Sequence, residues 1–445
     1  MKNYRIENAW ICQVKANSVK PVFGDLQIEN GKIGKIIPKS FKTYLTTKQK
    51  TRKNDYNAAG AVVTVPLVNF HEHFYSRLAK GLNVKGSTED FLSILHNLWW
   101  KLDRALTKEM VSASAKMGAI EAIKSGVTYI FDHHASMTAI DGSLDLIATE
   151  LINKNLRGVL CFEATDRNGV KVAEKSLAEN INFLKQFEGD DIKSMLGLHA
   201  SFTVSDDTLD AASKYLREYD LGIHIHLCED AADRALSKEV TGKFPVQRLK
   251  RYGLLNDKSI LAHGIYLTKK DCEIIDEAGP ALAFNPDSNL NNGVGTPDFI
   301  GLPESIPMLT GTDGMHANPG RSLKNVFLIM RAEGLSFEDS FRLISKIYFN
   351  QIEFVRKYFS DYPSLSEGDR ADFVVWDYVP PTPLNSNNFF GHYLYGVLER
   401  QPKRVVQQGD VLLQDKILTK VNEEEINKEI FEQGEKLVRK FNRKK

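Results

Sequence analysis

The 445-residue sequence predicts an α/β protein: a (β/α)8 TIM barrel with a small β-sandwich domain built from both chain ends. Three observations predict it. From Val65 onward, apolar strand-like runs alternate with amphipathic stretches in eight units. Repeated βα units imply a parallel sheet, and eight of them can close it. On either side of that region lie short alternating strands, too few on each side for an independent sheet. Finally, the histidines bunch at the C-terminal ends of the barrel runs, where barrels of this type place their catalytic groups. The expected division is 1–64 with 366–422 as the composite β domain, 65–365 as the barrel, and 423–445 as a C-terminal helix.

Composition narrows the function classes. With 42% hydrophobic and 26% charged residues the chain reads as an ordinary soluble globular protein. A net charge of +1 gives no global electrostatic case for nucleic acid or an acidic membrane. Cys12, Cys161, Cys228 and Cys272 are scattered, with no C-x-x-C pair, which argues against a disulfide framework and a structural zinc ribbon. The N-terminus has no apolar signal region and no apolar run approaches 18 residues. A cytoplasmic location is expected.

Residues 1–64 read as short strands. Asp25–Ile37 alternates around Asn30-Gly31, a strong hairpin signal because a type I′ turn needs two positive φ values. Lys39 to Asn57 holds six Lys/Arg and one acid; a solvated loop is favoured over a phosphate-binding arm. The barrel runs are the one ending at His71-Glu72-His73, then Val127–Asp132, Arg157–Phe162, Ile192–Leu198, Gly222–Ile225, Ser259–Ala262, Ala281–Phe284 and Ile306–Thr312. Helices are expected at Lys108–Ser125, Leu144–Lys154, Val172–Phe187, Asp206–Tyr219 and Lys269–Ala278. Gly368–Asp377 is a turn into a strand, and Arg404–Leu413 is a hairpin with Gly409-Asp410 at its tip. The final helix lines up Ile426, Ile430, Leu437, Val438 and Phe441 roughly along one side, packing on its own chain by default.

The barrel runs end, in order, at His71/His73, His133/His134, Glu163, His199, His226, His263, Asn285 and Asp313. On a strand, residues i and i+2 face the same side, so His71 and His73 aim two imidazoles at one point while Glu72 faces away. His224-Ile225-His226 repeats the pattern, and Glu229 follows three residues later, within reach of the same centre. His224 is read as the deeper residue. Asp313 ends the eighth strand, beside the first in a closed barrel. Three imidazoles and one carboxylate suit Zn²⁺ or Fe²⁺ and leave a place for water. By geometry His263 is either a further ligand or a neighbour that holds the water. Cys228 is read as a small loop or core residue.

At this point a resemblance enters. Pro66-Leu67-Val68-Asn69 leading into H-x-H, His226-x-x-Glu229, a lone His263, Asn285-Pro286-Asp287-Ser288-Asn289 and Thr312-Asp313-Gly314 occur in the order seen in the metal-dependent amidohydrolase superfamily. The chain resembles its aminohydrolase/deaminase branch. Leu98–Leu106, Asp132–Ser136 and Phe162–Gly169 look most similar to SsnA-like aminohydrolases. The resemblance covers nearly the whole chain and implies a single divalent metal, zinc first and iron second, held by His71, His73, His226 and Asp313. It implies proton handling by Glu229, His263 and Asp313, with His199 contacting substrate. Trp99, Trp100, Glu163 and His133 are the other expected substrate neighbours, although the tryptophans equally suit helix core.

The chain departs from the family pattern at Leu67, where glycine is usual, at Phe284, where His-Asn is common, and at Asn57-Ala58-Ala59-Gly60. The fourth strand ends in His199 rather than in the lysine that bridges two metals, with Lys193 at its other end, so one metal is expected. The implied function is hydrolytic deamination of an N-heterocycle such as a purine, pyrimidine or pterin by a metal-activated water. Its rivals are a hydrolase of another C–N or C–Cl bond on the same scaffold and a catalytically idle metal-binding protein. The expected partner is a small molecule rather than nucleic acid or membrane, with homodimer formation left open.

Overall fold

Leu67–Glu72 is buried at every position, as a strand covered on both faces must be. The same holds for Val127–His134, Arg157–Phe162, Leu196–Ala200, Ile260–His263, Ala281–Phe284 and Met308–Thr310. The computed structural model describes residues 3–47, 54–187 and 189–442. In it these strands, together with Ile192–Ser194 and Ile223–Leu227, pair in parallel as two sheets of four and five strands. Single bridges, Ala164 with Leu198 and Glu72 with Asp313, complete the ring. This is the (β/α)8 barrel. Helices Lys108–Lys124, Ser143–Asn153, Val170–Phe187, Asp206–Tyr219 and Lys269–Ala278 lie within two residues of their expected bounds.

The fourth strand differs from its expected single run. It is broken into Ile192–Ser194, which pairs with the third strand, and Leu196–Ala200, which pairs with the fifth, Ile223–Leu227. Gly197 explains part of the geometry. A Cβ there would lie 2.2 Å from the Phe162 carbonyl oxygen, so only glycine permits the close approach.

Both chain ends contribute to one continuous nine-stranded sheet. Its seam is the antiparallel pairing of Val62–Thr64 with Phe373–Trp376, where Trp376 Nε1 donates to Thr64 Oγ1 at 2.8 Å. Asn30 and Gly31, with φ of +52° and +79°, make the turn between Ser18–Glu29 and Lys32–Pro38. The later hairpin turns at Gln408-Gly409, one residue earlier than expected, because those are the positions with positive φ, and Asp410 starts the next strand.

The basic segment after Lys39 is not all loop. Ser40 caps a short helix, Phe41–Thr46, and Tyr56–Asn57 forms a two-residue strand. Phe41 and Tyr44, one turn apart, both pack on Phe23, which the charge count concealed. Residues 48–53, which hold most of that segment's charge, lie outside the described residues.

Two compact units result. One holds the chain up to Val68 with Ile120–Thr128 and Phe359–Asn422; the other holds Asn69–Ala119, Tyr129–Tyr358 and the chain from Glu423. The final helix, Glu423–Phe441, therefore belongs with the barrel residues, where Lys116 Nζ reaches both Glu429 carboxylate oxygens at 2.7 Å. Leu437 is buried, but Val438 is 43% exposed, so the expected apolar stripe is narrower than its hydrophobic residues suggest. No helix among the described residues is long and apolar enough to cross a membrane.

Candidate active site

The pleat of the first strand sorts its last residues. His71 and His73 share a side, with ring centroids 4.7 Å apart. Glu72 faces the other way and pairs with Arg77 and Asn69, both buried. Arg77 in turn donates to the Gly314 and His316 carbonyls at 3.1 and 2.9 Å. The strand that carries two imidazoles is thereby tied to the loop that carries Asp313.

The imidazoles converge through their Nε2 atoms. His73 Nδ1 donates to the His133 carbonyl at 2.5 Å and His226 Nδ1 to the His199 carbonyl at 2.9 Å, which frees both Nε2 lone pairs. Those Nε2 atoms are 3.1 Å apart. Asp313 Oδ1 is 3.0 Å from His73 Nε2 and 3.9 Å from His71 Nε2. His71 Nδ1 is paired with His224 Nε2 at 2.9 Å, while His71 Nε2 is buried without a partner. Ligands about 2.0–2.1 Å from a tetrahedral ion stand roughly 3.3 Å from one another, so the spacing and donor set fit a divalent transition ion. His133 and His263 lie close enough to join such a cluster on distance alone.

Three groups flank this centre. His263 Nε2 lies 3.5 Å from Glu229 Oε2 and 4.0 Å from Asp313 Oδ2. The Asn289 amide Nδ2 donates to His263 Nδ1 at 2.8 Å, which places the ring proton on Nε2, facing both carboxylates. Asp313 accepts from Ser288 Oγ at 2.5 Å and from Gly314 N at 2.7 Å. Burial opposes its charge, but His73, His71 and His263 hold the carboxyl well below the ordinary range. Glu229 goes the other way: burial and the Asp313 charge push it well above. The two neighbouring carboxyls are thus pushed in opposite directions by their surroundings. His263 and Asp313 adopt positive φ, 74° and 53°, uncommon for residues with a side chain and clustered here at the strand ends.

Beside the centre lies a cavity whose lining includes His73, Trp99, Trp100, Glu163, His199, His226, Glu229 and Asp313. Of the residues expected around substrate, only His133 is not brought to it. Its ring is fully buried and stacks on His224, centroids 4.6 Å apart, with both nitrogens lacking hydrogen-bond partners. Trp99 and Trp100 both reach the cavity because the helix that carries them widens to a π turn over Leu95–Trp99, with Trp100 N–H bonded back to the Leu95 carbonyl. Phe91, Leu95, Ile265 and Val294 form an apolar cluster against them.

Sequence reasoning missed Asp103 and Arg167 as lining residues. Both sit in stretches whose wording carried the resemblance, but a lone charge outside any periodic pattern gives no signal of where it points.

The comparisons agree with this architecture. The model of the Amidohydrolase family matches residues 62–411. A 5'-deoxyadenosine deaminase of Methanococcus aeolicus is 27% identical over 437 residues, covering 94% of this chain and 95% of that protein. A 5-methylthioadenosine/S-adenosylhomocysteine deaminase of Thermococcus onnurineus is 27% identical over 429 residues, covering 93% and 94%. The structure of an adenosine deaminase from Xanthomonas campestris with bound zinc superposes with a TM-score of 0.80 at 18% identity over 98% of each chain. With the family match spanning most of the chain and the strand-end residues gathered at one mouth of the barrel, the chain belongs to the Amidohydrolase family.

Proposed function

We propose that this chain is a metal-dependent aminohydrolase that deaminates an N-heterocycle, releasing ammonia. The observation that carries the reading is the close approach of His71, His73, His226 and Asp313 beside a cavity that His73, His226, Asp313 and Glu229 line. The two deaminases similar over nearly the full length support it.

In this reading His71, His73, His226 and Asp313 hold one divalent ion, Zn²⁺ first and Fe²⁺ second. Such an ion, when bound, lowers the pKa of a coordinated water from about 15.7 towards 7. The chain's own groups handle the protons. Asp313, kept ionised, accepts the proton of the attacking water through the oxygen that faces His263. Glu229, kept protonated, donates its proton to a ring nitrogen and makes the adjacent amino-bearing carbon electrophilic. His263 Nε2–H hydrogen-bonds the attacking oxygen. As the C–N bond breaks, the proton on Asp313 passes to the departing amine and the proton of the added hydroxyl returns to Glu229, so ring-NH2 and water become a ring carbonyl with its neighbouring N–H, and ammonia. Trp99, Trp100 and His199 flank the ring. Phe91, Leu95, Trp99 and Trp100 give the cavity apolar walls, which suit a planar heterocycle.

Zinc-loaded protein incubated with a panel of purines, pyrimidines and pterins should release ammonia from at least one ring, and Glu229→Gln should slow that release by about 10² or more. Silence across the whole panel at stoichiometric metal would overturn the reading.

A further inference from the structure

His199 stands next to the end of the strand Leu196–Ala200, its ring lining the cavity and its carbonyl accepting from His226 Nδ1. The chain then turns through Ser201–Thr203 and brings the Thr203 hydroxyl back onto the strand end. Three groups meet that oxygen. His199 Nδ1 lies 2.7 Å away, the Ala200 N–H donates to it at 3.3 Å, and it donates to the Ala200 carbonyl at 3.0 Å. Thr203 itself is buried and does not line the cavity.

A hydroxyl has one proton and two lone pairs, and these contacts use all three. The Ala200 carbonyl can only accept, so it takes the proton; the Ala200 N–H can only donate, so it takes one lone pair. His199 Nδ1 faces the other lone pair and brings a proton of its own. With the opposite tautomer, Nδ1 would take the hydroxyl proton, leaving two oxygens 3.0 Å apart with no proton between them. The ring is therefore protonated on Nδ1. A second proton would put a charge on a residue that is only 7% exposed. Nε2 is left as a lone pair, with Glu163 Oε2 3.9 Å away and beyond hydrogen-bond reach.

We propose that Thr203 fixes His199 as a hydrogen-bond acceptor, so that the substrate presents an N–H to Nε2 rather than a ring lone pair or a carbonyl oxygen. His199 is the substrate contact, and Thr203 is the positioning residue behind it. The nature of the ligand rests on the reading of the cavity as the ring site of a deaminase. An amino-heterocycle carries such an N–H, and Trp100, 6.3 Å from the His199 ring, gives it a flat wall. A cation is the other occupant a lone pair accepts, and Glu163, His199 and His226 lie close enough together to hold one. His226, however, has no nitrogen left for it. Nδ1 donates to the His199 carbonyl, and Nε2 belongs to the ion proposed beside His73.

The tautomer is read by NMR of the imidazole nitrogens in the zinc-loaded full chain, with the His199 signals assigned by their loss in His199→Asn. Nδ1 should be protonated and Nε2 not. This spectrum needs no change at Thr203, so it stands even where a variant fails to fold. Thr203→Val keeps the shape without the hydroxyl and should give a mixture of tautomers; Thr203→Ser should restore the single one. Binding is measured by calorimetry on zinc-loaded Glu229→Gln protein with adenine, guanine, cytosine and pterin as probes. For the rings that bind, Thr203→Val should weaken binding about fivefold or more, the size of one neutral hydrogen bond, and Thr203→Ser should recover most of it. A bound ring should also move the Nε2 signal towards the protonated range without protonating it.

An Nε2–H tautomer in the wild type would overturn the lock, and so would a single tautomer retained in folded Thr203→Val. Rings that bind without moving the Nε2 signal, or no binding by any probe, would overturn the N–H contact. A second zinc equivalent that disappears in His199→Asn would give the lone pair to a cation and overturn it as well. Ammonia release from wild type is scored separately. The expected tautomer and N–H contact without ammonia from any ring would remove the deaminase reading alone, whereas ammonia release with the opposite tautomer would remove this assignment alone.

Discussion

Asp313 Oδ1 stands 3.0 Å from His73 Nε2, a carboxylate from the last barrel strand against an imidazole from the first. Only closure of the ring makes that contact, through the bridge of Glu72 with Asp313 and the two 2.9 Å hydrogen bonds from Thr312 N and Asp313 N to the His71 carbonyl. The metal centre proposed for this chain is therefore a property of the closed barrel rather than of any one segment.

Metal stoichiometry should follow from that geometry. His71 belongs to one metal-competent cluster with His73 and His226 and to another with Asp313, which itself lies 3.0 Å from His73, and the fourth strand carries near its end His199, hydrogen-bonded to Thr203 Oγ1 at 2.7 Å, in place of a bridging lysine. Elemental analysis of protein saturated with zinc and then desalted should give about one equivalent per chain; two would overturn the single-ion assignment. Since the unfolded chain lacks the site, chelation should lower the unfolding midpoint. An ion at 100 times its Kd adds about 2.7 kcal/mol. In Asp313→Ala that dependence on added zinc should weaken by at least tenfold in concentration.

Glu229 faces the same centre without being needed to hold it. Its Oε1 accepts a long hydrogen bond from Asn292 Nδ2 at 3.4 Å, and its other oxygen faces His263. Glu229→Gln keeps the shape and removes the transferable proton. We expect unchanged metal content with kcat/KM lower by about 10² or more, the size of a general acid–base contribution. Loss of metal in this variant would make Glu229 a ligand.

Much of this was legible because strand periodicity is strict. An H-x-H spacing puts His71 and His73 on one side whatever the fold around them, and alternating βα units imply a parallel ring. Depth along a strand is not legible in the same way. His133 and His134 are neighbours, so the pleat sends them to opposite sides: His134 to Ser136 Oγ at 2.9 Å, His133 inward onto His224. Which of the two reaches the cavity depends on strand stagger, and neither does. Trp99 and Trp100 depended on a π turn, and Arg167 on a loop conformation. None of these leaves a mark in a hydrophobic pattern.

The helix after the seventh strand, Pro286–Asn292, offers a test by pH. Burial alone would raise the Asp287 carboxyl, but His316 Nε2 at 3.2 Å, Arg321 Nε at 2.8 Å and Asn325 Nδ2 at 3.0 Å hold it below the ordinary value. A carboxyl with a depressed folded pKa stabilises fully above its unfolded pKa, about 3.9, and loses that stabilisation as pH falls through the folded value. As pH falls from about 5, the difference in urea midpoint between wild type and Asp287→Asn should close towards zero below about pH 4. A difference that widens on acidification would reverse the sign of this assignment.

His263 is the residue whose role geometry alone leaves closest to a choice. Its Nε2 is buried, without a hydrogen-bond partner, and close enough to His71 and Asp313 to count as a ligand. Two features argue for the other role. A ligating imidazole must offer a lone pair, and the 2.8 Å bond that Nδ1 accepts from Asn289 leaves Nε2 protonated. Four imidazoles with Asp313 would also make five protein ligands and crowd the position that water needs. His263→Asn should therefore keep near-stoichiometric zinc while kcat/KM falls by about 10² or more, roughly 2.7 kcal/mol of transition-state stabilisation. Asn289→Leu should show the same split more weakly, because it removes only the bond that fixes the ring proton. If His263→Asn loses zinc while its unfolding remains cooperative, His263 is a ligand, and the division between ion-holding and proton-handling groups moves by one residue.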